Sequence, residues 1–342
     1  MTTSFAAGEL YFIGELDPVT GADTGFCKIG IVREAEGRFS GKRLKEHQTG
    51  NPRRLVLHET IASEIVETVE TTLHGLHATR RFSGEWFLLP PDVRDTVLLD
   101  AARLAREASA GIADLRRAAE LRRLDASGDP VSPDRTVLDL HDRGLQLRSR
   151  SKRVATVRRA IGDALRASIV RDGGTNRFGS AGTRSGGTSF DETSFREAEP
   201  GLWEQYLVDR EKPSGNFLWA DDDRMWDEFE DLHDLELSVD ILLSEEHTDG
   251  TLDRLHHYYL LTLGLQAADD WEFSLVEAAV KSACGHAPGI TGVCKWARTT
   301  TVKKVLDTAA LKSDLPDVHA KFSVTRQGAS TLDIARDRGF RL

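Results

Sequence analysis

Glu9-Leu10-Tyr11-Phe12-Ile13-Gly14, followed after a turn by Phe26-Cys27-Lys28-Ile29-Gly30-Ile31, decides how this chain is read. Leu10 and Phe12 alternate with Tyr11 and Ile13, which is the two-residue period of a strand. Asp17-Pro18 and Thr20-Gly21 supply the turn chemistry between the two segments. The pair therefore predicts an antiparallel hairpin with a long loop. A helical run containing Lys42-Arg43-Leu44-Lys45-Glu46-His47 ends at Thr49-Gly50-Asn51-Pro52. A third strand is expected at residues 55–61. A helix is expected over 63–80, with Ile65, Val69, Leu73 and Leu76 at helical spacing. Gly84-Glu85-Trp86-Phe87 then closes the unit with a short apolar end.

These elements carry a particular set of side chains. The strand period can make Tyr11 and Lys28 cross-ladder neighbours. An ammonium beside a phenol favours the phenolate and lowers its pKa, which would make Tyr11 a general base. Arg43 and His47 are four residues apart and share a helix face. Arg43 can grip a phosphate oxygen with its planar fork, and His47 can hold substrate or carry a proton. Glu70 is the central acid of its helix, and a lone carboxylate suits Mg²⁺ or Mn²⁺, with Mg²⁺ typically taking one or two protein carboxylates. Taken singly, Tyr11 is an ordinary strand tyrosine, Lys28 an edge lysine, and Arg43, His47 and Glu70 solvated helix residues. Together they are the equipment of a metal-dependent phosphodiesterase. His74 and His77 follow on the same helix and are expected to pack or be solvated rather than bind metal.

On these motifs residues 8–90 resemble a GIY-YIG nuclease domain, most closely the phage-type branch with a K-I-G second motif and an E-W-F end. Leu10-Tyr11 stand for the first motif, Lys28-Ile29-Gly30 for the second, and Arg43 to His47 for the family's Arg-x-x-x-His helix. Glu70 stands where the family keeps its metal-binding glutamate. The resemblance implies a small three-stranded antiparallel sheet with flanking helices and one-metal hydrolysis of a phosphodiester. Two departures stand out. Lys28 replaces the second tyrosine of many members, and Glu85 stands in the stretch where many carry an asparagine.

With 39% hydrophobic and 29% charged residues among 342, the composition is that of a soluble globular protein of two or three domains. No apolar run is long enough to span a bilayer, and Met1 to Gly8 shows no secretory signal. Three cysteines, Cys27, Cys284 and Cys294, fit a reducing cytoplasm rather than a disulfide framework. Cys284, His286 and Cys294 lack a standard zinc spacing. The net charge of −10 is unevenly spread: −2 over residues 1–90, +5 over 91–171 and −13 over 172–342. Arg143 to Arg171 holds nine basic residues against Asp163 alone. Arg148, Arg150, Lys152, Arg153, Arg158 and Arg159 in that run are the expected phosphate contacts. The alternative is a solvated helix whose arginine stems cover apolar surface.

Residues 91–134 read as a helical connector, with Gly111 as a break. Residues 172–189 are rich in glycine and serine and read as a flexible loop, in which Arg177 and Arg184 are candidate phosphate contacts on ordering. A weak repeat follows. Asp191, Phe195, Arg196, Pro200, Leu202 and Tyr206 recur as Asp307, Leu311, Lys312, Pro316, Val318 and Phe322, at an offset of 116. Leu140-His141 and Leu255-His256 recur at 115. We read two copies of a helical module, near 135–210 and 250–326, the second inside an acidic helical domain 211–342. With Gly289 to Trp296 before it, the second copy resembles the tail of YqaJ-like phage recombinases. A run of acids from Asp221 to Glu236 is expected to be a solvated acidic helix, or to compete with DNA for the basic segment.

The expected class is thus α+β, with an N-terminal nuclease-like sheet domain and a mainly helical C-terminal region. The expected activity is a metal-dependent endonuclease on DNA, with defence against foreign DNA suited to the family. An RNA nuclease and a non-catalytic binding module are the alternatives. A blunt double-strand cut would need two sites, hence a homodimer or two binding events.

Overall fold

The computed structural model describes residues 5–183, 186–221, 226, 229–326 and 328–339. Its class is α+β, with antiparallel sheets and long helices. Two central strands, β1 (Gly8–Leu16) and β2 (Asp23–Arg33), form the expected hairpin. Helix α1 (Ser40–Gln48) leads into β3 (Arg54–Ser63), which pairs with the other edge of β1. Helix α2 (Val66–Leu76) begins three residues later than residue 63, because Ser63 ends the strand and its hydroxyl accepts from Ile65 N–H at 3.3 Å. Then come β4 (Arg81–Ser83), β5 (Trp86–Leu88) and helix α3 (Pro91–Leu121).

The sheet has five strands in the order β3-β1-β2-β5-β4, not three. The last two form a short hairpin that adds Phe87 opposite Cys27 and Trp86 opposite Lys28. Three-residue strands have no readable period, so only the pairing reveals them.

Both faces of this sheet are covered, which explains why β1 and β2 are apolar nearly throughout. Leu10, Phe12, Cys27, Ile29 and Phe87 pack with Val66, Val69 and Leu73 of α2 and with Val97, Ala101, Leu104 and Ala108 of α3. Tyr11, Ile13, Val32 and Leu55 pack on the other face against Leu44 and Trp86. Leu10, Phe12 and Ile13 are fully buried, and each such side chain contributes about 1.5–3 kcal/mol. The 91–134 segment is therefore more than a spacer, since α3 runs unbroken through Gly111 and shares the sheet's core.

Helix α4 (Arg135–Arg171) has the extent its pattern predicts, with Asp134 capping Val137 N–H at 2.8 Å. After it come β6 (Thr175–Asn176), β7 (Gly179–Thr183) and β8 (Thr188–Phe190), where a loop is expected. The reason is tertiary, because the partners of β7 and β8 arrive from the C-terminal end of the chain, and β6 pairs with β7. Helices α5 (Glu192–Ala198) and α6 (Pro200–Gln205) precede β9 (Leu207–Ser214) and β10 (Leu218–Trp219). Helix α7 (Glu230–Ser244) and the long α8 (Asp249–Cys284) follow. The chain then forms β11 (Gly289–Ile290), β12 (Cys294–Lys295), β13 (Thr299–Leu306), α9 (Thr308–Asp314), α10 (Pro316–Lys321), β14 (Ser323–Thr325) and β15 (Ser330–Ile334).

Helix α8 joins the two halves. Its Trp271 and Ala278 belong to the core of the N-terminal sheet. It crosses α2 where Gly75 faces Ala267, too close for a side chain, and where Gly264 faces the Leu76 carbonyl, so that a side chain there would force a small shift. A boundary at 210/211 falls within β9, and ladders cross it: β9 pairs with β13, β7 with β15 and β8 with β14.

Matching bonds recur at the two offsets. Asp191 N–H donates to Phe322 O at 2.8 Å, and Asp307 N–H to Tyr206 O at 2.9 Å. Asp191 and Asp307 each cap a short helix. His141 Nε2 lies 3.0 Å from Ala220 O, and His256 Nε2 lies 2.9 Å from Ala335 O.

Candidate functional site

Tyr11 lies directly opposite Gly30 in the β1–β2 ladder, and Lys28 lies opposite Ile13. Lys28 is thus a diagonal neighbour of Tyr11 on the same face. Gly30 has a steric reason, since any Cβ there would collide with the phenol of Tyr11. The ring lies across the space that a side chain at Gly30 would fill, and is 1% exposed.

Helix α1 packs on this face and brings its i, i+4 pair to the phenol. Tyr11 Oη is 3.2 Å from His47 Nε2. Arg43 reaches the same hydroxyl and also donates to Glu46 at 2.8 Å. Burial raises the Tyr11 pKa; Arg43 opposes the rise, while Glu85 and Glu70 add to it. The expectation that Lys28 makes Tyr11 acidic is therefore overturned. The nearby cation is Arg43, and Lys28 is held by the Glu85 carboxylate. Burial, with Lys28 and Arg43 nearby, lowers His47. A neutral imidazole thus faces a neutral phenol, and one tautomer accepts the phenolic proton at Nε2.

On the other side of Lys28 is a pair of carboxylates. Glu85, at the β4–β5 turn, is pulled up by burial, but Lys28 outweighs this and leaves it below the usual glutamate range. Its carbonyl also accepts from Ile29 N–H at 3.0 Å, which fixes the turn to β2. Glu70 on α2 is pushed up to about 7 by burial and by the like charge of Glu85, with Lys28 and Arg33 opposing. Among the described residues, none donates a hydrogen bond to Glu70. It is the cluster's half-buried carboxylate whose anion is disfavoured, a setting that a divalent cation would relieve. Glu70, with Glu85 acting on it electrostatically, is the residue that could hold a hard cation such as Mg²⁺ or Mn²⁺. No group of three or more His, Cys, Asp or Glu suited to a metal occurs among the described residues.

Other residues singled out from the sequence have structural roles. His74 Nε2 lies 3.2 Å from Ile29 O and its ring meets Phe87 at 5.0 Å. His77 lies 3.2 Å from Asp100. Cys284 and Cys294 are buried with sulfurs 3.5 Å apart, while His286 is exposed. Sequence reasoning left the role of Glu85 open; its register opposite the K-I-G segment is the signal that ties it to Lys28.

The basic run of α4 is largely engaged within the protein. Arg150 pairs with both Asp231 of α7 and Asp269 of α8. Arg153 grips Glu236, its Nε at 2.9 Å, and Arg143 grips Glu272. Arg148 lies over the Phe273 ring at 5.7 Å, and Lys152 is likewise engaged. Arg158 and Arg159 have no ion-pair partner among the described residues. Arg177 pairs with Asp253 at 2.8 Å, and Arg184 lies outside the described residues. The acidic helix α7 thus lies on the basic helix α4, and part of the acidic run, Asp222, Asp223, Asp227 and Glu228, falls outside the described residues. Comparison of the chain with protein-family models, curated proteins and solved structures finds no match.

Proposed function

We propose that residues 8–90 form a GIY-YIG-type nuclease domain that hydrolyses DNA phosphodiester bonds with Mg²⁺ or Mn²⁺. The observation that carries this reading is the convergence, in one electrostatic field, of Tyr11, His47, Arg43, the Lys28–Glu85 pair and Glu70, which has no partner among the described residues. The order of β3, β1 and β2, with α1 packed on one face and α2 on the other, supports the fold assignment.

When bound, the cation would supply Lewis acidity at the phosphate. Glu70 would hold it, and Lys28, steadied by Glu85, keeps a positive charge beside two carboxylates. Arg43 would bind a non-bridging oxygen and stabilise charge developing on phosphorus. Tyr11 acts with His47 rather than with Lys28. The phenol oxygen takes the proton of the attacking water while its own proton passes to Nε2 of His47.

Cleavage of supercoiled, linear and single-stranded DNA, with RNA alongside, by wild type and Glu70→Ala tests this. Metal-dependent cutting by wild type alone is expected, together with a Mg²⁺-induced thermal shift that the variant lacks. Equal cutting by both proteins would overturn the assignment of Glu70, and cutting by neither would overturn the nuclease reading.

We also infer that residues 135–210 and 250–326 are two copies of one module that exchange strands. The matched ladders and the paired bonds of Asp191 and Asp307 support it. Interlocked copies should fold only together. A stably folded fragment 135–210 would count against them.

A further inference from the structure

Arg143, Arg150 and Arg153 of α4 are engaged in ion pairs, but a second cationic surface is not. Strands β9 and β13 form a two-stranded ribbon in which Arg210 is opposite Lys303, Lys212 opposite Thr301, and Ser214 opposite Thr299. Residues directly opposite in an antiparallel ladder share a face, and successive residues alternate between faces. One face therefore carries Arg210, Lys212 and Lys303 with Thr301, Thr299 and Ser214, and no acid. The other face takes both acids, Asp209 opposite Lys304 and Glu211 opposite Val302. Arg210, Lys212 and Lys303 are exposed and have no ion-pair partner among the described residues.

Placing Arg210 against Lys303 costs stability in isolation, because like charges directly opposite repel. In a chain with 55 acidic residues, three unpaired cations on one sheet face stand out against the committed Arg143, Arg150, Arg153 and Arg177. The ribbon is anchored at both ends. Leu306 is buried with Phe195, Leu311 and Phe322 at one end. At the other, Thr300 N–H donates to Asp125, and Ala126 N–H donates to Arg298 O at 2.9 Å. The charges are thus held in place before any partner arrives, which limits the ordering cost of binding.

We propose that the Arg210–Lys212–Lys303 face of this ribbon contacts the phosphate backbone of double-stranded DNA. The inference rests on the proposed action on DNA and identifies where the substrate is held. Phosphates complement an all-cationic face, and the Thr299 hydroxyl is a further phosphate donor, while those of Ser214 and Thr301 donate to Thr299 O and Lys212 O within the ribbon. The ribbon has no aromatic residue on which single-stranded bases would stack. A two-stranded ribbon is admitted by the B-form major groove and not by the deep, narrow groove of A-form RNA.

The test uses the full chain carrying Glu70→Ala, so that nothing is cut, titrated onto a labelled duplex of about thirty base pairs over a range of salt. The same strand alone and an RNA duplex are run alongside. Adding Arg210→Gln, Lys212→Gln and Lys303→Gln should weaken duplex DNA binding by about tenfold or more and reduce the salt slope by roughly two to three. The charge-preserving set Arg210→Lys, Lys212→Arg and Lys303→Arg should bind as the parent does, which separates charge from folding. A parent that binds duplex DNA while the glutamine set keeps its affinity and slope overturns the ribbon and leaves the nuclease reading standing. A parent that binds no nucleic acid overturns both. Tighter binding of the single strand or of duplex RNA overturns the duplex-DNA assignment.

Discussion

Glu70 on α2 and Asp269 on α8 are both carboxylates that burial pushes up, to about 7 and about 6. Their surroundings differ in kind. Asp269 is 4% exposed and ion-paired to Arg150, which also reaches Asp231, so its charge ties α8 to α4 and α7. Glu70 has no donor among the described residues, and its nearest strong influence after burial is another carboxylate, Glu85. One cluster joins its carboxylates through Arg150 and serves the fold. The other leaves Glu70 without a donor among the described residues, which is the ground for the proposed cation site.

The sharpest break in that comparison comes from removing each carboxylate in turn. Glu70→Gln should lower cleavage by roughly a hundred- to a thousandfold, as loss of one electrostatic stabiliser does, while the melting temperature holds or rises. Asp269→Ala should do the reverse, lowering the melting temperature while the rate per folded molecule is kept. Loss of fold in Glu70→Gln would mean that this carboxylate is structural. Next in size is Arg150→Ala, which leaves Asp269 buried without its partner. Denaturant unfolding should show a loss of about 3–5 kcal/mol. A loss below about 1 kcal/mol would place the pair among solvated surface bridges instead.

The two regions were not equally legible. The β1–β2 hairpin, α1 and α4 follow from local pattern, because Leu10 and Phe12 alternate with Tyr11 and Ile13 and because Val154, Val157, Ile161, Leu165 and Ile169 recur at helical spacing. The five groups of the site were found for the same reason: each belongs to a short periodic element. The register was not legible, so Lys28 was expected beside Tyr11 when Gly30 occupies that place. The arginines of α4 were expected to face phosphate because a local run of positive charge shows nothing of its partners. Asp231, Glu236, Asp269 and Glu272 are distant in sequence and come close only in the fold. Residues 175–183 and 188–190 have loop composition yet form strands, since β7 and β8 pair with Ser330–Ile334 and Ser323–Thr325, and β6 pairs with β7.

Smaller effects sharpen the contrast further. Gly30→Ala would force a methyl group into the Tyr11 ring, and overpacking of this kind costs about 1–3 kcal/mol. It should also displace the phenol from His47, so cleavage should fall more than the loss of folded protein explains. If activity tracks only the folded fraction, the Tyr11–His47 contact has no part in the reaction.

The smallest expected effect is a pH window at Asp269. Its folded pKa, about 6, lies above the ordinary aspartate value of 3.8. A raised folded pKa means that the folded state holds its proton more tightly than the unfolded chain does. The associated stability is therefore complete below about pH 4 and is lost as pH rises towards 6. One pKa unit is worth about 1.4 kcal/mol, and discounting for solvent screening leaves roughly 1–2 kcal/mol for this group. Lowered carboxylates such as Glu85 and Asp23 change stability in the opposite sense, so only a difference is informative. Unfolding free energies of wild type and Asp269→Asn, measured from pH 4 to pH 7, should converge as pH rises if the asparagine variant starts less stable. Curves that stay parallel would show that Arg150 holds Asp269 ionised throughout, and that the closed cluster is better compensated than its burial implies.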